Sequence, residues 1–179
     1  VATTRYNGFA DPLRCYVWDA TDNRFENGAV KAALNTPCTN EWDGNFINWA
    51  TFRRFDAVKK AMTGGNCWHP TASPARNADG TCKPSGTPSL PTVKAQNLGT
   101  SLETTPGIPY AGGTGNTSYV GRIPTAVHPG DPANIYVQYE GDGDLCVDND
   151  NTDGCPDSGG FAETELNEIA FAQYSEPTG

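Results

Sequence analysis

The sequence predicts an α/β domain, with α+β left open, that carries a large loop-rich insertion stapled by disulfides. Three observations point there. One long stretch, 45–62, has helical periodicity, whereas Cys15–Trp18 and Ile135–Tyr139 read as short strands. Val, Ile, Leu and Phe supply only 28 of the 179 residues, below the roughly one fifth at which a chain struggles to build a conventional core. The 20 glycines and 14 prolines predict long turn-rich connections, and six cysteines offer the cross-links that a thin core needs. Four Trp and seven Tyr partly compensate, since each buries a large area while keeping a polar tip wet. The length suits a single module over 1–179: a strand-and-helix segment at 1–65, a loop-rich insertion at 66–132, and strands with an acidic loop at 133–179.

Residues 1–41 read as extended and looped. Within them the aromatic and β-branched run Cys15-Tyr16-Val17-Trp18 is bounded by Asp11-Pro12 and by Asp19-Ala20-Thr21-Asp22-Asn23, the punctuation of a strand. The helix runs from Asn45 to about Met62, with Asp43 or Asn45 as its cap and Gly64-Gly65 as a left-handed stop. At ~100° per residue, Phe46, Ala50, Ala57 and Ala61 form one edge of an apolar arc that Ile47, Phe55, Val58 and Met62 fill. Trp49 and Phe52 fall outside that arc, among Asn48, Asp56 and Lys59. A helix wet on that side would not carry two large aromatics there, so both are expected to be buried by the loops that follow; exposed, they would form, with Trp68 and Tyr110, the partner-binding surface. From Asn66 to about Pro132 periodicity disappears, apart from short strands expected near Ser118–Arg122. Ile135-Tyr136-Val137-Gln138-Tyr139 alternates as a strand does. In 161–175, Phe161, Glu165, Leu166, Ile169 and Ala170 allow a helix, but Ile169–Tyr174 fits a strand better. No internal repeat is present.

Charge and motifs exclude several function classes. With 12 Lys/Arg against 21 Asp/Glu the net charge is −9, so the positive face that a nucleic-acid partner requires is missing. No stretch approaches the roughly 20 apolar residues of a membrane span, and the opening Val1–Arg5 does not read as a signal peptide. Enzyme readings find little footing. His69 and His128 are each followed by proline and read as turn or surface residues; no G-x-S-x-G setting exists. Asp157-Ser158-Gly159-Gly160 is similar to a serine-protease nucleophile context, but no accompanying His and Asp can be placed. The chain is expected not to be an enzyme.

The six cysteines, Cys15, Cys38, Cys67, Cys82, Cys146 and Cys155, allow fifteen pairings. Spacing favours consecutive pairs, 15–38, 67–82 and 146–155, and an oxidising compartment. Zinc would want C-x-x-C pairs, and there are none. Cys67-Trp68-His69 has no cysteine at position 64, which is glycine, so covalent haem is excluded. The strongest local chemical signal is the run Asp142–Asp157, with six aspartates and two asparagines. Such charges repel unless a hard cation gathers them, and calcium takes six to eight oxygens from flexible loops of this kind. Asp142, Asp144, Asp148, Asp150 and Asp153 are the candidate ligands. The segment departs from the EF-hand register by one residue and resembles a thrombospondin-type calcium repeat; the alternative is a solvated acidic loop held by Cys146–Cys155.

The first third of the chain carries a longer pattern. Tyr6-Asn7-Gly8-Phe9-Ala10-Asp11-Pro12, then Cys15-Tyr16, then Trp42-Asp43-Gly44-Asn45-Phe46-Ile47-Asn48-Trp49-Ala50-Thr51-Phe52-Arg53-Arg54-Phe55-Asp56-Ala57-Val58-Lys59-Lys60-Ala61-Met62-Thr63-Gly64-Gly65 resemble the N-terminal region of the PilY family. Its members are secreted, tip-associated adhesins and assembly factors of type IV pili. The resemblance implies a partial von Willebrand A-like unit, an α/β sheet flanked by helices. The D-x-S-x-S metal motif and the C-terminal propeller of that family are not in this sequence, which therefore reads as a fragment or short relative. It also lacks the long apolar N-terminal helix of a complete pilin.

The expected function is that of a non-enzymatic, extracytoplasmic module of a PilY-like type IV pilus protein, extracellular or pilus-associated, in pilus-tip assembly or surface adhesion. Its expected partners are pilins or minor pilins, or a host or abiotic surface. The alternative is a structural filament subunit, the globular half of a pilin whose helix lies on another chain. A third reading is a secreted carbohydrate-binding module with exposed aromatics.

Overall fold

The computed structural model describes residues 4–52, 54–63, 65–94, 108–110, 121–124, 135–139, 145–148, 164–166 and 170–172. Strands β1 (Arg14–Asp19) and β2 (Arg24–Val30) form an antiparallel hairpin. Its turn is set by Asp19, whose carboxylate accepts the N–H groups of Thr21 and Asp22, and by Asn23 in the left-handed region at φ +48°. The two-residue strand β3 (Trp42–Asp43) pairs with the other edge of β1. The chain then enters helix α1 (Gly44–Thr51). Asp43 is the N-cap: its Oδ1 accepts from the N–H of Asn45 at 2.8 Å and of Phe46 at 3.3 Å. Gly44 is required here because a Cβ would lie 2.2 Å from the Asp11 carbonyl oxygen.

The single helix expected over 45–62 is two helices. α1 ends at Phe52, whose backbone is extended (φ −89°, ψ 108°), and α2 spans Arg54–Thr63. The physical cause is local and aromatic. The Thr51 hydroxyl donates to the Ile47 carbonyl at 2.8 Å, a contact that bends helices, and the extended Phe52 packs edge-to-face on Phe9 at 5.2 Å. The break separates the two halves of the expected apolar arc. Phe46 and Ile47 on α1 are fully buried, while Ala57 and Ala61 on α2 are exposed, as are Val58 (54%) and Met62 (78%).

Beyond α2 come β4 (Asn66–Trp68), β5 (Pro84–Ser85), β6 (Leu90–Lys94), β7 (Ile108–Tyr110), β8 (Ile135–Tyr139), β9 (Leu145–Asp148), β10 (Thr164–Leu166) and β11 (Ala170–Ala172). The main sheet has the order β3-β1-β2-β11-β6-β4, with β5 also on β6. A second, antiparallel sheet has the order β10-β9-β8-β7. Strand β11, from the far end of the chain, thus sits inside the main sheet, antiparallel to β6 and parallel to β2 at Phe171↔Phe25.

The α/β class holds, and several expectations are corrected. Every pairing in the main sheet except β2–β11 is antiparallel, which gives no support to the von Willebrand A-like arrangement. Strands β4, β5 and β6, which fall within the span expected as a loop-rich insertion, belong to the main sheet. Gly121 and Arg122 lie in a turn rather than in the strand expected at Ser118–Arg122, whose first three residues lie outside the described ones. The strand at Ile135–Tyr139 is β8, and both described parts of 161–175 are strands.

The core is aromatic where aliphatics are scarce. Phe25 stacks on Phe171 at 5.4 Å and meets Trp42, Trp18 and Tyr16 edge-on at 5.9, 5.0 and 6.4 Å. Such pairs contribute about 0.5–1.5 kcal/mol each beyond their buried area. Val137, Leu145 and Val147 of the second sheet belong to the same buried cluster as Phe46 and Val93. Two charge networks knit the layers. Arg24 is wholly buried and donates to Glu26 at 2.5 Å, Thr92 Oγ1 at 2.9 Å, the Pro88 carbonyl at 2.7 Å and the Ser85 carbonyl. It ties the β5–β6 hairpin to β2 across β11. Buried Asp43 takes Lys31 Nζ at 2.7 Å and Arg122 Nη1 on the same oxygen, Oδ2. Disulfides join Cys15 to Cys38 and Cys67 to Cys82. Cys146 is disulfide-bonded as well; its expected partner Cys155 lies outside the described residues.

Candidate functional site: a groove between the N-terminal segment and helix α2

Two asparagines one turn apart on α1 hold the N-terminal segment by its backbone. Asn45 Oδ1 accepts the Tyr6 N–H at 2.7 Å and its Nδ2 donates to the Thr4 carbonyl at 2.8 Å. Asn48 Oδ1 accepts the Ala10 N–H at 3.0 Å, and its Nδ2 donates to the carbonyls of Tyr6 at 3.0 Å and Ala10 at 2.8 Å. Asn48 therefore uses its oxygen and both amide hydrogens. Gly8 is needed beside it, because a Cβ there would lie 2.0 Å from Asn48 Oδ1. Asp11 closes the segment: its N–H donates to the Tyr16 hydroxyl at 2.6 Å, and its Oδ1 accepts from the Leu13 N–H. Most of the recognisable Asn, Gly and Asp residues of this region thus serve the fold.

The clamped segment and α2 enclose an open groove of about 810 Å³, lined by Arg5 to Pro12 except Tyr6, and by Phe52, Ala57, Lys60 and Ala61. Phe9 and Phe52 form its aromatic floor, and Phe9 leans against Phe171 of β11 at 5.7 Å. Lys60 reaches over both rings, its Nζ 5.6 Å from the Phe9 centroid and 6.0 Å from that of Phe52, and donates to the Gly8 carbonyl. Partial desolvation of the ammonium against the rings lowers its pKa below the ordinary lysine value, although much of the residue stays exposed.

Of the four residues expected on a partner surface, the groove takes in Phe52 alone. Trp49 is half-buried with its ring 5.9 Å from that of Phe46, and Trp68 is half-buried on β4. Tyr110 is on β7, its side chain outside the described residues. Among the calcium candidates, Asp148 ends β9 with an undescribed side chain. Asp142, Asp144, Asp150 and Asp153 lie outside the described residues. Among the described residues no group of His, Cys, Asp and Glu is placed to hold a metal ion, and no helix is long and apolar enough to cross a membrane. The His69 ring serves its own turn: Nδ1 accepts the N–H groups of Thr71 and Ala72 at 3.2 and 2.9 Å. His128 lies outside the described residues.

Sequence reasoning missed Arg5, Phe9 and Lys60 as a group. Phe9 and Lys60 stand in the quoted family-like strings, but 52 positions separate Lys60 from the Gly8 carbonyl it reaches, so no local spacing joins them.

A family model described as "PilY1 homolog, small alpha/beta domain" matches residues 2–94. The matched region takes in β1 to β6, both helices and the whole groove lining. No curated protein and no solved structure matches the chain.

Proposed function

Because the chain belongs to the family of PilY1-homolog small α/β domains, we propose that it is a non-enzymatic, extracytoplasmic module of a type IV pilus protein. In this reading it acts in pilus-tip assembly or surface adhesion by binding another protein. The observation that carries the reading is the match over residues 2–94, which covers both helices and the groove between the N-terminal segment and α2. Two further features support it. The closed disulfides Cys15–Cys38 and Cys67–Cys82 suit an oxidising compartment outside the cytoplasm. The buried charges Arg24, Lys31, Asp43 and Arg122 are engaged with one another or with backbone carbonyls inside the fold, whereas the groove is open, aromatic and cationic. That composition suits recognition, since rigid rings give contact area at low entropic cost.

Copy number and position test the reading against a filament subunit. Quantitative mass spectrometry of purified pili should find the chain far below the major pilin, and immunogold labelling should place it at fibre ends. Abundance close to that of the major pilin, with label repeating along the fibre, would overturn the tip role in favour of the filament subunit.

A further inference from the structure

We propose that the groove between residues 5–12 and α2 binds an acidic peptide segment of a partner pilus protein. Lys60 and Arg5 hold its carboxylate, and Phe9, Phe52 and the outer face of α2 seat its apolar neighbours. The inference rests on the pilus reading for the identity of the partner, and on the groove for its chemistry.

Charge complementarity carries it. The chain has 12 basic residues against 21 acidic ones, and the fold engages several of the basic ones. Arg24 pairs with Glu26, Lys31 and Arg122 share Asp43, and Arg14 and Arg76 donate to the carbonyls of Gly28 and Gly65. Arg5 and Lys60 line one groove, and among the described residues neither forms an ion pair with a carboxylate. Lys60 gives one hydrogen bond to the Gly8 carbonyl, and an ammonium has three N–H donors. The lining's carboxylate, Asp11, accepts the N–H of Leu13 in its own turn, so the two cations outnumber it. A carboxylate arriving beside Lys60 would meet the ammonium against two aromatic faces, where partial exclusion of water strengthens charged hydrogen bonds.

Size and shape set the rest of the ligand. About 810 Å³ is far more than a lone ion needs and falls within the roughly 300–1,000 Å³ of organic-ligand sites. Ala57 and Ala61 line the groove, and Val58 and Met62 next to them leave α2 with an exposed apolar surface. A peptide with a carboxylate flanked by aliphatic side chains matches both halves, an anchor in the groove and a row of contacts along the helix.

The test uses the full chain and a fluorescein-labelled hexapeptide alternating glutamate and leucine, with its glutamine counterpart as control. Fluorescence anisotropy should show the acidic probe binding at least about tenfold more tightly than the glutamine probe, the difference that one to two charged hydrogen bonds supply. Lys60→Gln and, separately, Arg5→Gln should each weaken the acidic probe about tenfold, with Lys60→Arg retaining most of the binding. Melting temperature checks that each variant is folded; exposed Arg5 keeps the test valid if Lys60→Gln unfolds. Equal binding of the two probes, absence of binding, or indifference to both substitutions would overturn the proposal. Self-association abolished by Lys60→Gln would overturn it too, by putting a second copy in the groove. Co-sedimentation with purified pili separates the two levels. Equal sedimentation of wild type and Lys60→Gln would keep the pilus role and remove the groove. Binding of the acidic probe without any sedimentation would keep the groove chemistry and remove the pilus role.

Discussion

Replacing Asp43 by Asn removes one negative charge from the point where three parts of the fold meet. Asp43 sits on β3, caps α1 through Oδ1, and is the carboxylate on which both Lys31 and Arg122 converge. All three residues are buried, and Arg122 also donates to the carbonyls of Leu34, Thr36 and Asn35. Asn caps a helix about as well as Asp, so Asp43→Asn isolates the charge. Removing one partner of a buried pair costs about 3–5 kcal/mol, because the other charge is left without compensation in a place water does not reach. Here two cations are stranded, so the upper end of that range is expected. Asp43→Ala loses the cap as well, about 1 kcal/mol more, and approaches the whole stability of a domain at the low end of ~5–15 kcal/mol. Lys31→Met should cost much less, since it leaves Asp43 paired with Arg122. Urea denaturation followed by tryptophan fluorescence, with Trp42 beside the site as a reporter, gives the three values. A loss under about 1 kcal/mol for Asp43→Asn would refute the reasoning, because two cations buried on one carboxylate cannot be that indifferent to its charge.

Phe171→Ala should cost about 3–5 kcal/mol by the same assay, as expected for a fully buried ring, and a loss below 1 would mean that β11 is not an interior strand. Trp49 is only half-buried, so Trp49→Ala should lose about 1–3 kcal/mol, less than a fully buried aromatic; a larger loss would mean that it is completely covered. In an NMR titration, Lys60 should deprotonate below the ordinary lysine value, and Phe52→Ala, which opens the ammonium to water, should raise its midpoint. Since the folded pKa is the lower one, the cost of holding this charge is present at low pH and relieved as pH rises through the window between folded and unfolded values; a wild-type midpoint at the ordinary lysine value would count against the groove geometry. If Asp142, Asp144, Asp148, Asp150 and Asp153 gather a calcium ion, millimolar calcium should raise the melting temperature above its value in chelator, whereas equal values in calcium, magnesium and chelator would make the run a solvated acidic turn.

The elements legible in the sequence are those with a local cause. Cys15–Trp18 and Ile135–Tyr139 announce strands by their own composition, and Asp43 announces a cap by its position before an apolar run. Strand β2 hides because Arg24-Phe25-Glu26-Asn27-Gly28 has no strand-like alternation. Its arginine is buried only because Ser85, Pro88 and Thr92, more than sixty residues away, supply acceptors. The break at Phe52 is equally silent, with no Gly or Pro to mark it, since its cause is an aromatic contact with Phe9. The same break turns the apparent core face of α2 outward, so Val58 and Met62, which one continuous helical periodicity would place in the interior, are exposed. The groove was illegible for a related reason. It is an encounter between the N-terminal segment and α2, arranged by Asn45 and Asn48, and the sequence displays those asparagines only as part of a family-like string.

The central claim, that this module meets another pilus protein through the face formed by residues 5–12 and α2, is tested most directly by placing a photo-crosslinking phenylalanine analogue at Ala61 in the full chain. Position 61 lines the groove and is exposed. Irradiation of intact pili should yield one discrete adduct with a pilin or minor pilin, lost with Lys60→Gln, while the analogue placed at exposed Val30, on the far end of β2, yields none. No pilus-protein adduct from position 61, or the same adduct from both positions, would contradict the account.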